Sequence, residues 1–187
     1  MPLIPKIGLT GKPGVGKTET LLKIVDMLRE EGYTVGGMVT RSIFEGGERV
    51  GFTVEDVATG DSRVFAHENI SSRHRVGKYG VDLKALEDVG VKAIKRALEE
   101  SDIVVIDEIG RMEVESPLFV EVVKEALDSE KPVIITLHKK SRNPLLQDIR
   151  RRDDVRILEV SLLNKSLLAY KVIDIIKGKE VILGGGM

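Results

Sequence analysis

The sequence predicts an α/β fold in which a mostly parallel sheet carries helices on both faces and a β-hairpin is inserted. Short apolar runs typical of buried strands alternate with segments whose apolar residues recur at helical spacing. Two strand candidates in the first half are separated only by a short turn, which indicates a hairpin. The 187 residues, 42% of them hydrophobic, are enough for one compact core. We therefore expect one domain over residues 1–180 and a flexible tail at 181–187.

The first half of the chain is expected to form a strand, a helix, a run of further strands and a second helix. Gly32 follows the apolar face of the first helix and is expected to end it. The turn Thr59-Gly60-Asp61 joins the two strands of the hairpin. The expected strands are 6–10, 34–43, 50–57 and 63–65. The first expected helix ends near residue 31, and the second covers 83–98.

The second half alternates strands and helices. The apolar run at 103–106 is typical of a strand buried on both faces. Ser116-Pro117 and Asn143-Pro144 each provide an N-cap followed by proline in the first helical turn. Strands are expected at 103–106, 133–137 and 156–160, and helices are expected to begin at 117, 144 and 165. This alternation implies parallel strands joined by right-handed crossovers.

Composition argues against several functional classes. Lysine plus arginine (29) nearly balance aspartate plus glutamate (30), so no global field attracts nucleic acid or an anionic membrane. The chain has no tryptophan for base stacking and no cysteine for disulfides or thiolate metal sites. No segment reaches the roughly 18 apolar residues of a membrane span. We expect a cytoplasmic monomer without a nucleic-acid partner, and no protein partner is indicated.

One segment matches the phosphate-binding motif G-x-x-x-x-G-K-[ST] in full, between a strand and a helix. Its glycines let backbone N–H groups converge on phosphates, and the helix N-terminus adds partial positive charge. Lys17 is expected to reach the β and γ phosphates, and Thr18 to bind Mg²⁺. The motif predicts a site for Mg²⁺ and a nucleoside triphosphate such as ATP or GTP at Gly11, Lys12, Pro13, Gly14, Val15, Gly16, Lys17 and Thr18.

Two acidic residues, Asp107 and Glu108, follow the apolar strand 103–106. Ligands of α/β sheets gather at the carboxyl ends of the strands, so Asp107 is expected to meet Mg²⁺ from the side opposite Thr18. Glu108 should point to the other side of the strand, where it can orient and deprotonate an attacking water. If water is activated elsewhere, the γ-phosphate itself or Glu113 is the next candidate.

Hydrolysis also requires a positively charged group beside the γ-phosphoryl oxygens, where it stabilises the negative charge of the transition state. Arg111 is the first candidate because it follows Glu108 in the same loop, although a surface salt bridge would explain it equally well. The other candidates are Arg75, Lys78 and the run 150–152, which more simply completes a helix C-terminus beside Asp153 and Asp154.

The remaining polar motifs are weaker. His67, His74 and His138 are isolated in sequence and are interpreted as structural. Asn164-Lys165-Ser166-Leu167 resembles the guanine-reading motif N-K-x-D, but leucine occupies the place of the carboxylate. This argues against a strict guanine preference, and Asn164 is interpreted as the N-cap of the last helix.

Several segments together resemble the thermophilic nucleoside-triphosphatases, whose eukaryotic relatives include the cancer-related nucleoside-triphosphatase. The matching stretches are 9–18, 49–52, 76–82 and 106–113. The resemblance implies slow hydrolysis of ATP, GTP and other nucleoside triphosphates with broad base tolerance. The family often has lysine where this chain has Arg111. The resemblance also implies nucleotide contacts at 11–18 and at Ile103, Val104, Val105, Ile106, Asp107, Glu108, Ile109 and Gly110.

Two other functions remain open at this point. A nucleoside or nucleotide kinase would share the phosphate loop, and residues 69–79, with Arg73, Arg75 and Lys78, could form its basic lid. Glu108 beside Asp107 favours water as the nucleophile instead. A regulatory module, in which hydrolysis only resets a switch, would contain the same motifs.

Overall fold

The computed structural model describes residues 4–179. Within this range the chain forms nine strands that hydrogen-bond into one sheet. The tail predicted at 181–187 lies outside the described residues. The strands are β1 (Lys6–Thr10), β2 (Val35–Glu45), β3 (Glu48–Asp56), β4 (Ser62–His67), β5 (Arg75–Val76), β6 (Tyr79–Val81), β7 (Ile103–Ile109), β8 (Val133–Leu137) and β9 (Arg156–Glu159).

The sheet has the order β5-β6-β4-β3-β2-β7-β8-β1-β9. Strands β2, β7, β8, β1 and β9 are parallel to their neighbours in this series. Strands β3, β4, β6 and β5 continue the sheet as an antiparallel extension. The carboxyl ends of the five parallel strands therefore share one edge, where ligands of open α/β sheets gather.

The helices connect the parallel strands and cover both faces of the sheet. A continuous helical run from residue 83 to 100 contains a π-helix at Leu86–Val91, with an α-helix on either side of it. The helices are α1 (Lys17–Glu30), α2 (Leu83–Ala85), α3 (Lys92–Glu100), α4 (Pro117–Asp128), α5 (Pro144–Arg151) and α6 (Lys165–Ile176). A short 3₁₀ turn covers Glu113–Glu115. No helix within residues 4–179 is long and apolar enough to cross a membrane.

Two apolar cores lie on opposite faces of the sheet. Helices α1 and α6 pack on one face, and α2 to α5 pack on the other. The side chains of β7 alternate between these cores. Ile103 and Val105 lie in the core under α1 and α6, and Val104 and Ile106 lie in the core under α2 to α5. β7 is thus buried on both faces, as its uninterrupted apolar run predicted.

The structure confirms the predicted α/β fold and enlarges its hairpin. β3 and β4 pair antiparallel as expected. β2 also continues to Glu45 and pairs with β3 through a turn at Gly46 and Gly47, which the sequence interpretation missed. β5 and β6 were missed as well, because strands of two and three residues are too short for periodicity to reveal.

The predicted helix caps are partly confirmed. The Ser116 hydroxyl accepts from the N–H of Phe119, and the side-chain amide oxygen of Asn143 accepts from the N–H of Leu145. Asn164 occupies the predicted N-cap position of α6, and its backbone carbonyl accepts from the N–H of Leu168, but its side chain does not cap the helix. Its side chain turns back to the preceding loop, where it accepts from the N–H of Ser161 and donates to the carbonyl of Glu159.

Candidate active site

The phosphate-binding motif forms the loop between β1 and α1. Gly14 and Gly16 have φ angles of 79° and 99°, a left-handed conformation that side-chain-bearing residues rarely adopt. Gly11 has a different constraint, because a Cβ there would lie 2.7 Å from the carbonyl oxygen of Val160. Three glycines of the motif are therefore required by backbone shape or by close packing. We call residues 11–18 the P-loop.

The first residues of α1 carry the polar groups of the loop. The ammonium group of Lys17 is buried and donates to the carbonyl oxygen of Gly11 at 3.1 Å. The Thr18 hydroxyl points towards β7 and donates to Asp107, at 3.1 Å from Oδ1 and 2.9 Å from Oδ2. The lysine charge and the threonine hydroxyl thus lie where the motif predicted, at the start of a helix whose N–H groups favour anions.

Asp107 is completely buried near the end of β7. Besides the Thr18 hydroxyl, its carboxylate accepts a hydrogen bond from the Thr136 hydroxyl on β8 and from the N–H of Thr40 on β2. Burial, opposed by the hydrogen bonds and assisted by the charge of Glu108, raises the pKa of Asp107 from its ordinary value to about 6. Neighbouring strands therefore hold this carboxylate at the carboxyl edge of the sheet, beside the P-loop.

Glu108 is the next residue and is partly exposed. Its Oε2 atom lies 4.0 Å from Nζ of Lys17. Asp107 and Glu108 thus reach two consecutive residues of the P-loop, Thr18 and Lys17. Asp107 is enclosed by hydrogen bonds, whereas Glu108 remains partly accessible at the lysine end, and the expected division of roles between the two acids stays a prediction.

A third carboxyl group, that of Glu113, lies behind Glu108. Glu113 is buried, and its Oε1 accepts from the N–H of Gly110 at 3.0 Å. A Cβ on Gly110 would lie 3.0 Å from Oε1 of Glu108 and 3.0 Å from Oε1 of Glu113. Burial, followed by the charge of Glu108, raises the pKa of Glu113 to about 8. Glu113 is therefore mainly protonated at neutral pH and keeps a second negative charge away from Glu108.

The oxygen atoms around Thr18 and Asp107 fit Mg²⁺ bound together with a nucleotide. Mg²⁺ prefers hard oxygen ligands, and it is usually held by one or two carboxylates, with phosphate oxygens and waters completing its shell. One carboxylate and one hydroxyl converge here. Within residues 4–179 no cluster of three or more His, Cys, Asp or Glu side chains forms a self-sufficient metal site. The arrangement thus suits a cation that arrives with its phosphate ligands.

Several site residues escaped the sequence interpretation. Thr136 and Thr40 bind Asp107 from neighbouring strands, and Thr136 was detectable only as a polar residue inside the apolar run of β8. His138 follows β8, and its N–H donates to the carbonyl of Ile109. The Nδ1 atom of His138 is buried without a hydrogen-bond partner among residues 4–179.

The nucleotide contacts implied for the body of β7 stay a prediction, although the burial of this segment does not favour them. The side chains of Ile103, Val104, Val105 and Ile106 are at most 1% exposed and fill the two cores. Ile109 is also buried in a core. These residues position the acidic pair and leave no side-chain surface for a ligand. Asp107 and Gly110 are buried as well, and Glu108 is the residue of this segment with a partly exposed side chain.

The candidate basic residues are placed differently from one another. Arg111 is exposed and forms no hydrogen bond or ion pair with residues 4–179, so the alternative of a surface salt bridge is not observed. Arg150 donates to the carbonyls of His138, Lys139 and Ser141, and thereby holds the loop after β8. Arg152 pairs with Asp154, as the sequence suggested, and with Asp128. Arg111 and Arg151 are both without a side-chain partner within the described chain, and of these two Arg111 lies in the loop that follows Glu108.

The basic segment 69–79 makes mostly internal contacts. Arg75 donates to the carbonyls of Ile70 and Lys78, and Lys78 pairs with Glu68. Nδ1 of His74 lies 4.0 Å from a carboxylate oxygen of Glu115, which joins this segment to the 3₁₀ turn beyond Glu108. Two of the three basic side chains proposed for a lid are therefore engaged locally.

Several known proteins are similar to this chain in sequence and in fold. A family model described as NTPase matches residues 6–182. The nucleoside-triphosphatase THEP1 of Thermoplasma acidophilum is 39% identical over 180 residues, covering 96% of this chain and 99% of the relative. The crystal structure of THEP1 from Aquifex aeolicus superposes with a TM-score of 0.84 at 29% identity, covering 92% of this chain and 99% of the other. The solution structure of a human cancer-related nucleoside triphosphatase gives 0.78 at 29% identity, covering 95% and 100%.

Proposed function

This chain belongs to the NTPase family, and we propose that it catalyses the Mg²⁺-dependent hydrolysis of nucleoside 5′-triphosphates to the diphosphate and phosphate. The proposal includes ATP, GTP, CTP and UTP as substrates. We further propose that residues 1–180 act as one domain. The single sheet that contains all strands of residues 4–179 supports this.

One observation carries the proposal: consecutive residues of the P-loop face consecutive acids of β7. Thr18 contacts Asp107, and Lys17 lies 4.0 Å from Glu108. A triphosphate held by the P-loop N–H groups and by Lys17 would place its γ-phosphate beside Glu108. An accessible carboxylate at that position favours water as the attacking group.

Each residue of the site has its own proposed role in the hydrolysis. Lys17 and the N–H groups of the P-loop bind and orient the β and γ phosphates. Glu108 orients a water molecule and accepts one of its protons, while the oxygen of that water forms the new bond to the γ-phosphorus. The bond from that phosphorus to the β–γ bridging oxygen breaks, and the diphosphate leaves with the electron pair.

Thr18 and Asp107 would hold Mg²⁺, which when bound neutralises charge on the β and γ oxygens. Arg111 is the proposed source of additional positive charge at the γ-phosphoryl group, because its guanidinium group has no other partner in residues 4–179 and its loop begins at Gly110. Glu113, mainly protonated, leaves Glu108 as the negative group at the water position.

The proposal is tested by steady-state phosphate release from ATP, GTP, CTP, UTP and their deoxy forms, with and without Mg²⁺. We expect release from all of them, and only with the cation. A parallel measurement of γ-phosphate transfer to a panel of nucleosides and nucleotides distinguishes the kinase alternative. Transfer that exceeds phosphate release would replace the hydrolase proposal with the kinase.

A further inference from the structure

An exposed apolar patch lies at the beginning of α6. We call it the α6 patch and define it as Leu162, Leu163, Leu167 and Tyr170. The exposed fractions of these side chains are 74%, 97%, 74% and 58%. Leu167 and Tyr170 are spaced for one face of α6, away from Leu168 and Val172, which are buried in the core that α1 shares, and Leu162 and Leu163 lie in the turn that precedes the helix. Four exposed apolar side chains within residues 162–170 make this segment a candidate binding surface.

The α6 patch adjoins the P-loop. The N–H of Val160 donates to the carbonyl of Thr10 at 2.7 Å, which fixes the end of β9 against the start of the P-loop. The ammonium group of Lys165, the first residue of α6, lies 3.6 Å from the position that a Cβ on Gly16 would occupy. The segment that carries the leucines therefore touches the P-loop near both of its ends.

The loop between β9 and α6 is fixed by hydrogen bonds of its own residue Asn164, and its leucine side chains are exposed to solvent. Asn164 donates to the carbonyl of Glu159 at 2.8 Å and accepts from the N–H of Ser161 at 2.8 Å. These bonds fix the backbone on both sides of Leu162 and Leu163. The apolar side chains are thus presented to solvent by an ordered loop, which lowers the entropic cost of binding a ligand to them.

The direction of the bound substrate follows from the order of the strands. Under the proposed function, the γ-phosphate lies beside Glu108 on β7. The sheet order β7-β8-β1-β9 places β7 and β9 on opposite sides of the P-loop strand. A triphosphate whose γ end faces β7 must extend its nucleoside end towards β9, and the α6 patch is the apolar surface on that side.

We propose that the α6 patch is the nucleobase subsite, in which the face of any base packs on Leu163 and Leu167. This inference rests on the proposed function and specifies how its substrate is recognised. Leucines offer no donor or acceptor to a base edge, and the amide group of Asn164 is already engaged. The base therefore contributes affinity through its buried area and is not identified by its edge. The same surface explains the absence of a carboxylate at position 167.

The direct test uses tryptophan as a reporter, because the chain has none of its own. In Leu167→Trp, we expect fluorescence quenching on titration with Mg²⁺ and ATP or UTP, and no quenching with Mg²⁺ and inorganic tripolyphosphate. The matched control is Val64→Trp on β4, an exposed apolar position six strands from β9 in the sheet. Its fluorescence should respond to none of these ligands.

A second pair of variants measures the energetic contribution. Leu163→Ser with Leu167→Ser should raise KM for ATP and UTP by roughly 10-fold or more, the scale of lost apolar contacts. The inhibition constant of tripolyphosphate should stay unchanged, as should both constants in Val64→Ser. Thermal melting verifies that each variant is folded.

The outcomes distinguish this inference from the function on which it rests. Normal phosphate release without nucleotide quenching, and with unchanged KM in the serine variant, would overturn the base subsite and leave the hydrolase intact. If the same serine variant changed only the sedimentation coefficient, the patch would be a contact between copies of the chain. Quenching by ATP without phosphate release would overturn the hydrolase and retain the subsite.

Discussion

The carboxylate of Glu108 lies 4.0 Å from the ammonium group of Lys17, across the gap between the end of β7 and the start of α1. The two residues are separated in sequence by about half of the chain, and they meet because β7 and β1 are near neighbours in a parallel sheet. Their separation leaves an accessible acid next to the lysine that binds phosphate. This relationship underlies the first prediction.

Glu108→Gln should lower turnover by about 10² to 10⁴, the usual contribution of acid–base catalysis, while most of the affinity for Mg²⁺ and nucleotide is kept. Glutamine preserves the shape of the side chain but cannot accept the proton of the water. Single-turnover phosphate release and equilibrium nucleotide binding are measured together. Glu115→Gln, an exposed acid in the same loop, is the control and should be nearly unaffected. Wild-type turnover in Glu108→Gln would move water activation to Glu113 or to the γ-phosphate.

Lys17→Ala should abolish tight binding of triphosphates, because it removes the ammonium group whose positive charge contacts the β and γ phosphates. The fold should survive, since the ammonium group makes a single hydrogen bond, to Gly11, within the described chain. Titration with a fluorescent triphosphate measures the affinity, and circular dichroism checks the fold. Lys95→Ala on the exposed face of α3 serves as the control. Unchanged affinity in Lys17→Ala would remove the P-loop from the mechanism.

Asp107→Asn should behave differently from the Glu108 variant. The substitution keeps an acceptor for Thr18 and Thr136 but removes the charge next to the proposed cation, so nucleotide retention and Mg²⁺ dependence should weaken together. The measurement is the Mg²⁺ concentration that gives half-maximal phosphate release at saturating ATP. We expect it to rise by at least 10-fold, the scale of a lost metal ligand or of its supporting partner. An unchanged value would place the cation elsewhere.

Base discrimination should be weak. Catalytic efficiencies for ATP, GTP, CTP and UTP should agree within roughly 10-fold to 100-fold, the range of apolar recognition without a hydrogen-bonded base edge. The ratio of kcat/KM values in pairwise competition measures this directly. A larger preference for any one base would require a polar base-reading group, which neither the sequence at 164–167 nor the exposed leucines supply.

The free energy of unfolding should fall as the pH rises, because the buried carboxyl group of Glu113 loses its proton. Its pKa is about 8 in the folded protein and 4.5 in its ordinary state, so folding binds the proton more tightly. The resulting stability is fully present below about pH 4.5 and is lost as the pH rises towards 8, by up to about 1.4 kcal/mol per pH unit. Urea unfolding between pH 5 and about 8 measures the free energy of unfolding.

Glu113→Gln supplies the matched control for this pH dependence. Glutamine retains an acceptor for the N–H of Gly110 but does not titrate, so the decline assigned to Glu113 should disappear. Asp107, whose pKa is also raised, and Lys6, whose pKa burial lowers to about 8, remain in both proteins. The difference between the two curves therefore isolates Glu113. Parallel curves would show that Glu113 has no raised pKa in the folded state.

The sequence by itself determined the features that depend on neighbouring residues. The P-loop could be recognised because its glycines, lysine and threonine are consecutive, and their backbone conformation follows from local chemistry. The buried strand β7 was visible as an apolar run, and the caps at Ser116 and Asn143 as short motifs. The antiparallel extension was only partly visible, because β5 and β6 are too short to show a period.

Tertiary structure alone decided how these parts meet. Thr136 and Thr40 reach Asp107 because β8 and β2 flank β7 in the sheet, an order that no local pattern encodes. Asn164 looked like a cap from its position, but its side chain bonds to the loop behind it. The raised pKa values of Asp107 and Glu113 arise from burial beneath elements that are distant in sequence. Burial and strand order depend on contacts across the whole chain, and for that reason they appear only in the folded molecule.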